Sequence, residues 1–196
     1  MTRLHNLILI WPLTLLLAME GCASSPPMRI FVLGDPPISA TIPSAQSDRP
    51  VMRLLPVSII DYLDTRDILR RVGPNEVKAS PTGRWAERLS VGLTHALTSA
   101  LSVRLPDIDI VTDPALAPPA RQLLVDVQVF ETEPDGKCQL TANWTLSDGN
   151  GRLIKRGERS TFIEQAGDSG DAEIASAMTR SVNRLADQIA LIERNF

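Results

Sequence analysis

The stretch Leu123-Leu124-Val125-Asp126-Val127-Gln128-Val129-Phe130 decides the fold class of this chain. Leu123, Val125, Val127 and Val129 recur at every second position, with Leu124, Asp126, Gln128 and Phe130 between them. A period of two belongs to a strand with one buried face, because successive side chains point to opposite sides of a sheet. Pro134-Asp135-Gly136-Lys137 then makes a turn. Beyond it, Cys138, Leu140, Ala142, Trp144 and Leu146 alternate with Gln139, Thr141, Asn143, Thr145 and Ser147. Asp148-Gly149-Asn150-Gly151 makes a second turn, and residues 153–164 read as a third strand. The pattern predicts an antiparallel meander with one apolar face.

Two helices are expected to cover that face. Ser80-Pro81 carries a helix-start signal, and residues 80–104 place Trp85, Leu89, Leu93, Ala96, Leu97, Ala100 and Val103 on one side at helical spacing. The second helix starts near Asp171, read as its N-cap, and runs to Glu193, with a stripe of Ile174, Met178, Val182, Leu185, Ile189 and Ile192. Shorter strands are expected at 29–33, 51–60, 68–69, 77–79 and 108–111, with Pro-rich loops over 34–50 and 113–120. The sum is an α+β fold: a two-layer sandwich of a mostly antiparallel sheet with two long amphipathic helices on one face. The stripes could alternatively line a lipid-binding groove; a core between helices and sheet is the simpler use of the same residue types.

The N-terminus sets the compartment. Arg3 precedes an apolar run that ends at Leu15-Leu16-Leu17-Ala18-Met19-Glu20-Gly21-Cys22. The run is too short and too interrupted for a spanning helix, which needs about 20 apolar residues, and it suits an export leader. Cys22, placed where the run ends, reads as the lipidated first residue of the exported protein. Glu20 departs from the small and apolar residues usual before such a cysteine. The competing reading is an ordinary leader with an incidental cysteine. Three segments follow: a leader at 1–21, a lipidated tether at 22–28 and one α/β domain over 29–196. A net charge of −3, without basic clusters, argues against nucleic acid as a partner. The chain has two cysteines, so acylation of Cys22 would leave Cys138 with no disulfide partner.

Signals for catalysis are sparse. His95 is expected to point away from its helix stripe, no Cys/His spacing suits a metal, and no cofactor motif is present. Cys138 shares a face with Trp144 and reads as a small buried hydrophobe, not a redox thiol. Asp61, Asp64 and Asp67 cluster near Tyr62, a pattern open to acid–base chemistry but equally to solvated charge. Arg66, Arg70 and Arg71, interleaved with Tyr62, Leu63, Ile68 and Leu69, make the mixture of aromatic, aliphatic and arginine common at protein interfaces.

Val57-Ser58-Ile59-Ile60-Asp61-Tyr62-Leu63-Asp64-Thr65-Arg66-Asp67-Ile68-Leu69-Arg70-Arg71 and Arg84-Trp85-Ala86-Glu87-Arg88-Leu89 resemble two motifs of the ABC-type transport auxiliary lipoproteins, the PqiC-like family. Arg29-Ile30-Phe31-Val32-Leu33 resembles that family's opening strand, and Trp144-Thr145-Leu146 with Gly151-Arg152-Leu153-Ile154 falls where it has a central hairpin. Ile60, Thr65 and Arg88 depart from the motifs. The resemblance implies a non-enzymatic lipoprotein without metal or cofactor. Such a protein accompanies an MCE-domain protein and a membrane permease and ATPase that move lipids or other hydrophobic molecules. It implies docking at the outer membrane, facing the periplasm, and a ring-like homo-oligomer. Ala23 after Cys22, where aspartate would mark inner-membrane retention, agrees with outer-membrane sorting. Tyr62, Leu63, Arg66, Arg70 and Trp85 are the candidate partner-binding residues. The rival readings are a general envelope-assembly or peptidoglycan-associated lipoprotein, and a periplasmic hydrolase using Asp61 to Asp67.

Replacing Cys22 by alanine is expected to leave the protein uncleaved or free in the periplasm, read by fractionation and by mass spectrometry of the N-terminus. An unmodified Cys22 on the mature wild-type chain would remove the anchor.

Overall fold

The computed structural model describes residues 26–35, 48–113, 118–157, 159–167 and 170–195. The leader, Cys22 and most of the Pro-rich loop after Asp35 lie outside these residues. The elements, in chain order, are β1 (Arg29–Phe31), β2 (Val51–Leu54), β3 (Ser58–Ile59), β4 (Asp67–Gly73), β5 (Glu76–Trp85), α1 (Leu89–Arg104), β6 (Asp109–Val111), β7 (Arg121–Thr132), β8 (Lys137–Asp148), β9 (Leu153–Arg156), β10 (Ser160–Gln165) and α2 (Asp171–Glu193). A 3-10 turn at Asp61–Leu63 joins β3 to β4.

The alternating stretch is the spine of the sheet. β7 and β8 form a long antiparallel hairpin from Arg121↔Asp148 to Thr132↔Cys138, turning at Gly136 with φ 79°. Shorter strands lie end to end along its two outer edges. β2, β3 and β4 run parallel to β7 at Met52↔Arg121, Ser58↔Asp126 and Arg70↔Thr132 in turn. β9 and β10 run antiparallel to β8. β6 extends the sheet beyond β2, and β5 then β1 extend it beyond β4. The long pairings are antiparallel and every parallel pairing is short, so the sandwich has the expected character.

Both helices pack on one another; α2 lies on β8 and β10, and α1 touches β6. Leu123, Val125, Val127, Leu140, Ala142, Trp144 and Leu146 meet Leu93, Leu97, Leu101, Ile174, Met178, Val182, Leu185 and Ile189 in one buried cluster. Each Leu, Ile, Val and Met side chain among them contributes about 1.5–3 kcal/mol through removal from water. The helix stripes are therefore core.

The register corrects the simple alternation. Gln128 is an extra residue between Val127↔Ala142 and Val129↔Thr141, so the bulge turns Phe130 inward and Val129 to the other face. The expected strand at 51–60 breaks at Pro56, which has no N–H to donate, and Val57 N–H instead donates to Thr94 Oγ1 at 3.0 Å. The strand at 153–164 breaks at Gly157, where a Cβ would stand 2.1 Å from the Trp144 ring. Residues 68–69 and 77–79 belong to a much longer β4–β5 hairpin turning at Pro74-Asn75.

The largest departure is the start of α1. Ser80 and Pro81 lie inside β5, and the helix begins at Leu89. Pro81 falls in the bulge of the β4–β5 ladder between Leu69↔Ala79 and Asp67↔Arg84, and before the register with β1 starts at Gly83, a place where a missing N–H is tolerated. Trp85 is consequently a strand residue, 2% exposed, and Val103 at the far end of the helix is 56% exposed. α2 begins as expected, but Gly170 holds the N-cap position and Asp171 is the first helical residue.

Trp85→Ala is expected to destabilise the protein by about 3–5 kcal/mol, the range for removing a buried large aromatic. Denaturant titration measures it, and a loss under 1 kcal/mol would mean that the core does not rest on this ring.

Candidate contact surface

The segment after β3 is a strap stapled at both margins. In the 3-10 turn, Leu63 N–H donates to Ile60 O at 2.9 Å, and the Leu63 side chain drops into the core at 1% exposure. That leaves Ile60 and Tyr62 outward, 39% and 46% exposed. Asp64 then caps α1 from a distance. Its Oδ1 accepts Ser90 N–H at 3.0 Å and its Oδ2 accepts Arg88 Nη2, while Leu89 N–H donates to Thr65 O. A helix terminus leaves its first N–H groups without intrahelical acceptors, and here a carboxylate outside the helix supplies one. Burial works to raise the Asp64 pKa, but the Ser90 and Arg88 donors outweigh it and hold the carboxyl below its ordinary value.

β4 continues the strap with two arginines facing opposite ways. Arg71 clamps Glu131 of β7 through Nε at 3.0 Å and Nη2 at 2.7 and 2.9 Å, a forked geometry that secures a carboxylate only 4% exposed. Tyr62 Oη lies 3.5 Å from Glu131 Oε2. Burial and then the Glu131 charge push the Tyr62 pKa up, so its hydroxyl keeps its proton. Tyr62, Arg71 and Glu131 thus form one ordered cluster with an aromatic ring at its surface.

Arg70 points to the first turn of α2. Its Nη2 donates to Asp171 Oδ1 at 2.7 Å, and Asp171 Oδ2 accepts Ser80 Oγ and Thr82 Oγ1, each at 2.8 Å. Gly83 closes the socket: a Cβ there would stand 2.5 Å from Asp171 Oδ2. Burial works to raise the Asp171 pKa, but Thr82, Arg70 and Ser80 together hold it below the usual carboxylate value.

The structure therefore separates the five candidate partner-binding residues. Tyr62 is exposed on the Arg71–Glu131 cluster. Arg66 is exposed but reaches the Ala86 carbonyl, beside β1. Arg70 is half-buried and occupied by Asp171. Leu63 and Trp85 are core residues and can only shape a surface from beneath. Residues missed in the sequence are Glu131, at the end of the alternating stretch, and the Ser80–Thr82–Asp171 set, in which Asp171 lies about 90 residues from the other two.

Other candidate chemistry is placed as follows. Asp64 caps α1, Asp67 pairs with Arg84 at 3.0 Å, and Asp61 is exposed in the turn. His95 is exposed and bonds Glu87 at 3.0 Å. Cys138 is 1% exposed, and burial pushes its thiol pKa up, away from the reactive thiolate. Among the described residues no group of His, Cys, Asp and Glu could hold a metal ion, and no helix is long and apolar enough to cross a membrane.

The family model for the ABC-type transport auxiliary lipoprotein component matches residues 31–190. The chain belongs to that family. No curated protein matches it in sequence. Among solved structures, an uncharacterised protein superposes with a TM-score of 0.70 at 19% identity, covering 84% of this chain and 97% of its own. A Xanthomonas campestris protein described by the family model DUF330 gives 0.62 at 16% identity, covering 83% and 90%. At these identities the likeness is one of fold. The family assignment agrees with the motif resemblance read from residues 57–71 and 84–89.

Asp171→Asn is expected to cost about 2–3 kcal/mol at neutral pH, because Arg70 loses its ionic partner. A lowered folded-state pKa means that this contribution is full above about pH 4 and fades as the pH falls through the lowered value. The gap between wild type and variant should therefore shrink on acidification. A gap constant from pH 7 down to about pH 2.5 would contradict the socket.

Proposed function

We propose that this protein is a lipid-anchored, non-enzymatic adaptor of an envelope transport system, held at the outer membrane through Cys22 and docking an MCE-domain protein with its permease and ATPase. The observation that carries the reading is the family match over residues 31–190, whose description is that of a transport auxiliary lipoprotein. The leader ending at Cys22 supports the anchor, and Ala23 supports outer-membrane sorting.

The geometry supports a binding role and offers a surface for it. Of the acids on which a hydrolase reading depends, Asp64 caps α1 and Asp67 pairs with Arg84, while Asp61 is exposed in the turn. Tyr62 and Ile60 stand outward on a turn fixed by Leu63 below and by the Arg71–Glu131 clamp beside it. A pre-ordered aromatic lowers the entropic cost of association, and tyrosine is enriched among residues that dominate binding energy. The partner is assigned to this Tyr62 surface, and a homo-oligomer would array several copies of it.

Co-purification of the tagged full chain from detergent-solubilised envelopes tests the function. An MCE-domain protein and a permease are expected among the partners, and Tyr62→Ala should reduce their recovery about tenfold, roughly 1.4 kcal/mol, with an unchanged thermal midpoint. Recovery of cell-wall enzymes in their place would favour the peptidoglycan-associated reading and overturn this one.

A further inference from the structure

The chain enters the fold along an unpaired apolar edge. β1 pairs with β5 on one side, and among the described residues no strand pairs with its other side. Met28, Ile30 and Val32 are 47%, 59% and 67% exposed. They occupy alternate positions, so in an extended segment they point the same way, while Phe31 between them packs against the core. Sheet edges facing water are normally blunted with charge, proline or a covering element. Here three large aliphatic side chains line the edge.

Arginines border them. The Arg29 guanidinium lies over the Phe31 ring, 5.0 Å from its centre. Arg84 is the register partner of Ile30, and Arg66 donates to the Ala86 carbonyl, whose own N–H donates to Phe31 O. Arg84 shares Asp67, and Arg88 shares Asp64. Glu87 bonds His95. Neither Arg29 nor Arg66 has a carboxylate partner among the described residues, so the border carries an excess of positive charge.

We infer that this edge lies on the phospholipid surface that holds Cys22, with Met28, Ile30 and Val32 entering the headgroup–acyl boundary and Arg66 and Arg84 meeting lipid phosphates. The inference rests on the lipid anchor of the proposed function. The tether fixes the occupant: Met28 lies six positions after Cys22, at most about 20 Å when fully extended. An apolar row so close to an acyl anchor adds contact area to it, and two membrane signals together convert marginal into stable attachment. Guanidinium groups pair with phosphate through a planar fork. A second copy of the chain could instead add a strand to the same edge.

The test uses the lipidated full chain reconstituted into vesicles of phosphatidylethanolamine and phosphatidylglycerol. Ile30→Cys gives one reactive thiol, because Cys22 is acylated and Cys138 is buried. Asn150→Cys, in the exposed turn between β8 and β9, is the control. With an environment-sensitive dye on each, lipids carrying brominated acyl chains should quench residue 30 several-fold more than residue 150, with a blue shift at residue 30 alone. Equal quenching at both positions, in protein that still floats with the vesicles, overturns the edge contact and leaves the anchor standing. Dye self-quenching at residue 30, relieved by dilution with unlabelled protein, would assign the edge to a second copy and likewise overturn it. Protein that fails to float overturns the anchor and this inference together.

Discussion

The carboxylate of Asp171 joins α2 to both arms of a hairpin that lies about 90–100 residues earlier in the chain. It begins α2, accepts Arg70 of β4 and accepts Ser80 and Thr82 of β5. A charge 5% exposed is costly unless hydrogen bonds replace its water, and here three donors do so. The negative charge at the first helical residue also opposes the positive end of the helix dipole. Because the socket is directional, it fixes where the β4–β5 hairpin sits relative to α2. Hydrophobic contact alone would let the two slide. The position of Trp85 and the parallel pairing of β1 onto β5 follow from that placement.

The strap from Val57 to Arg71 shows the same economy on the other side of the hairpin. Val57 N–H binds Thr94, Asp64 caps α1 and Arg71 holds Glu131. These residues hold strand, turn and helix in fixed relation, and that is why so few of them are left to face a partner. A surface made of Ile60 and Tyr62 on such a frame is narrow but ordered. The family to which the chain belongs is defined over most of its length. The residues of 57–71 that carry the resemblance to it are thus at once the ones that build the frame and the ones that present the ring.

What the sequence made legible follows from the range of the interactions involved. The meander over 121–148 was readable because strand period and turn residues act within a few positions, and α2 was readable because its stripe is long and regular. The start of α1 was not, because its cap is Asp64, 26 residues upstream. The local signal at Ser80-Pro81 serves a strand and a socket instead. Leu63 and Trp85 looked like contact residues because interfaces and cores draw on the same side chains, and only the three-dimensional packing tells them apart. Gln128 hid a bulge that a strict alternation cannot show. Glu131 and Asp171 are acids whose partners lie about 60 and 90–100 residues away, beyond any local pattern.

The β7–β8 spine carries a consequence for the order in which the fold forms. β2, β3 and β4 all take their parallel neighbour from β7, so each pairing closes a loop of more than 60 residues. Closing such loops delays formation of the contacts that reward it. A chain emerging N-terminus first delivers β1 to β5 well before the strand that most of them are built around. β4 and β5 can pair with each other, and with β1, as soon as they are made, but the earlier strands join into one sheet only when residues 121–148 arrive and close into their hairpin. The later half of the polypeptide is the template that unites the first, and truncation after β6 would leave the β1–β5–β4 and β2–β6 pairings without the spine that joins them.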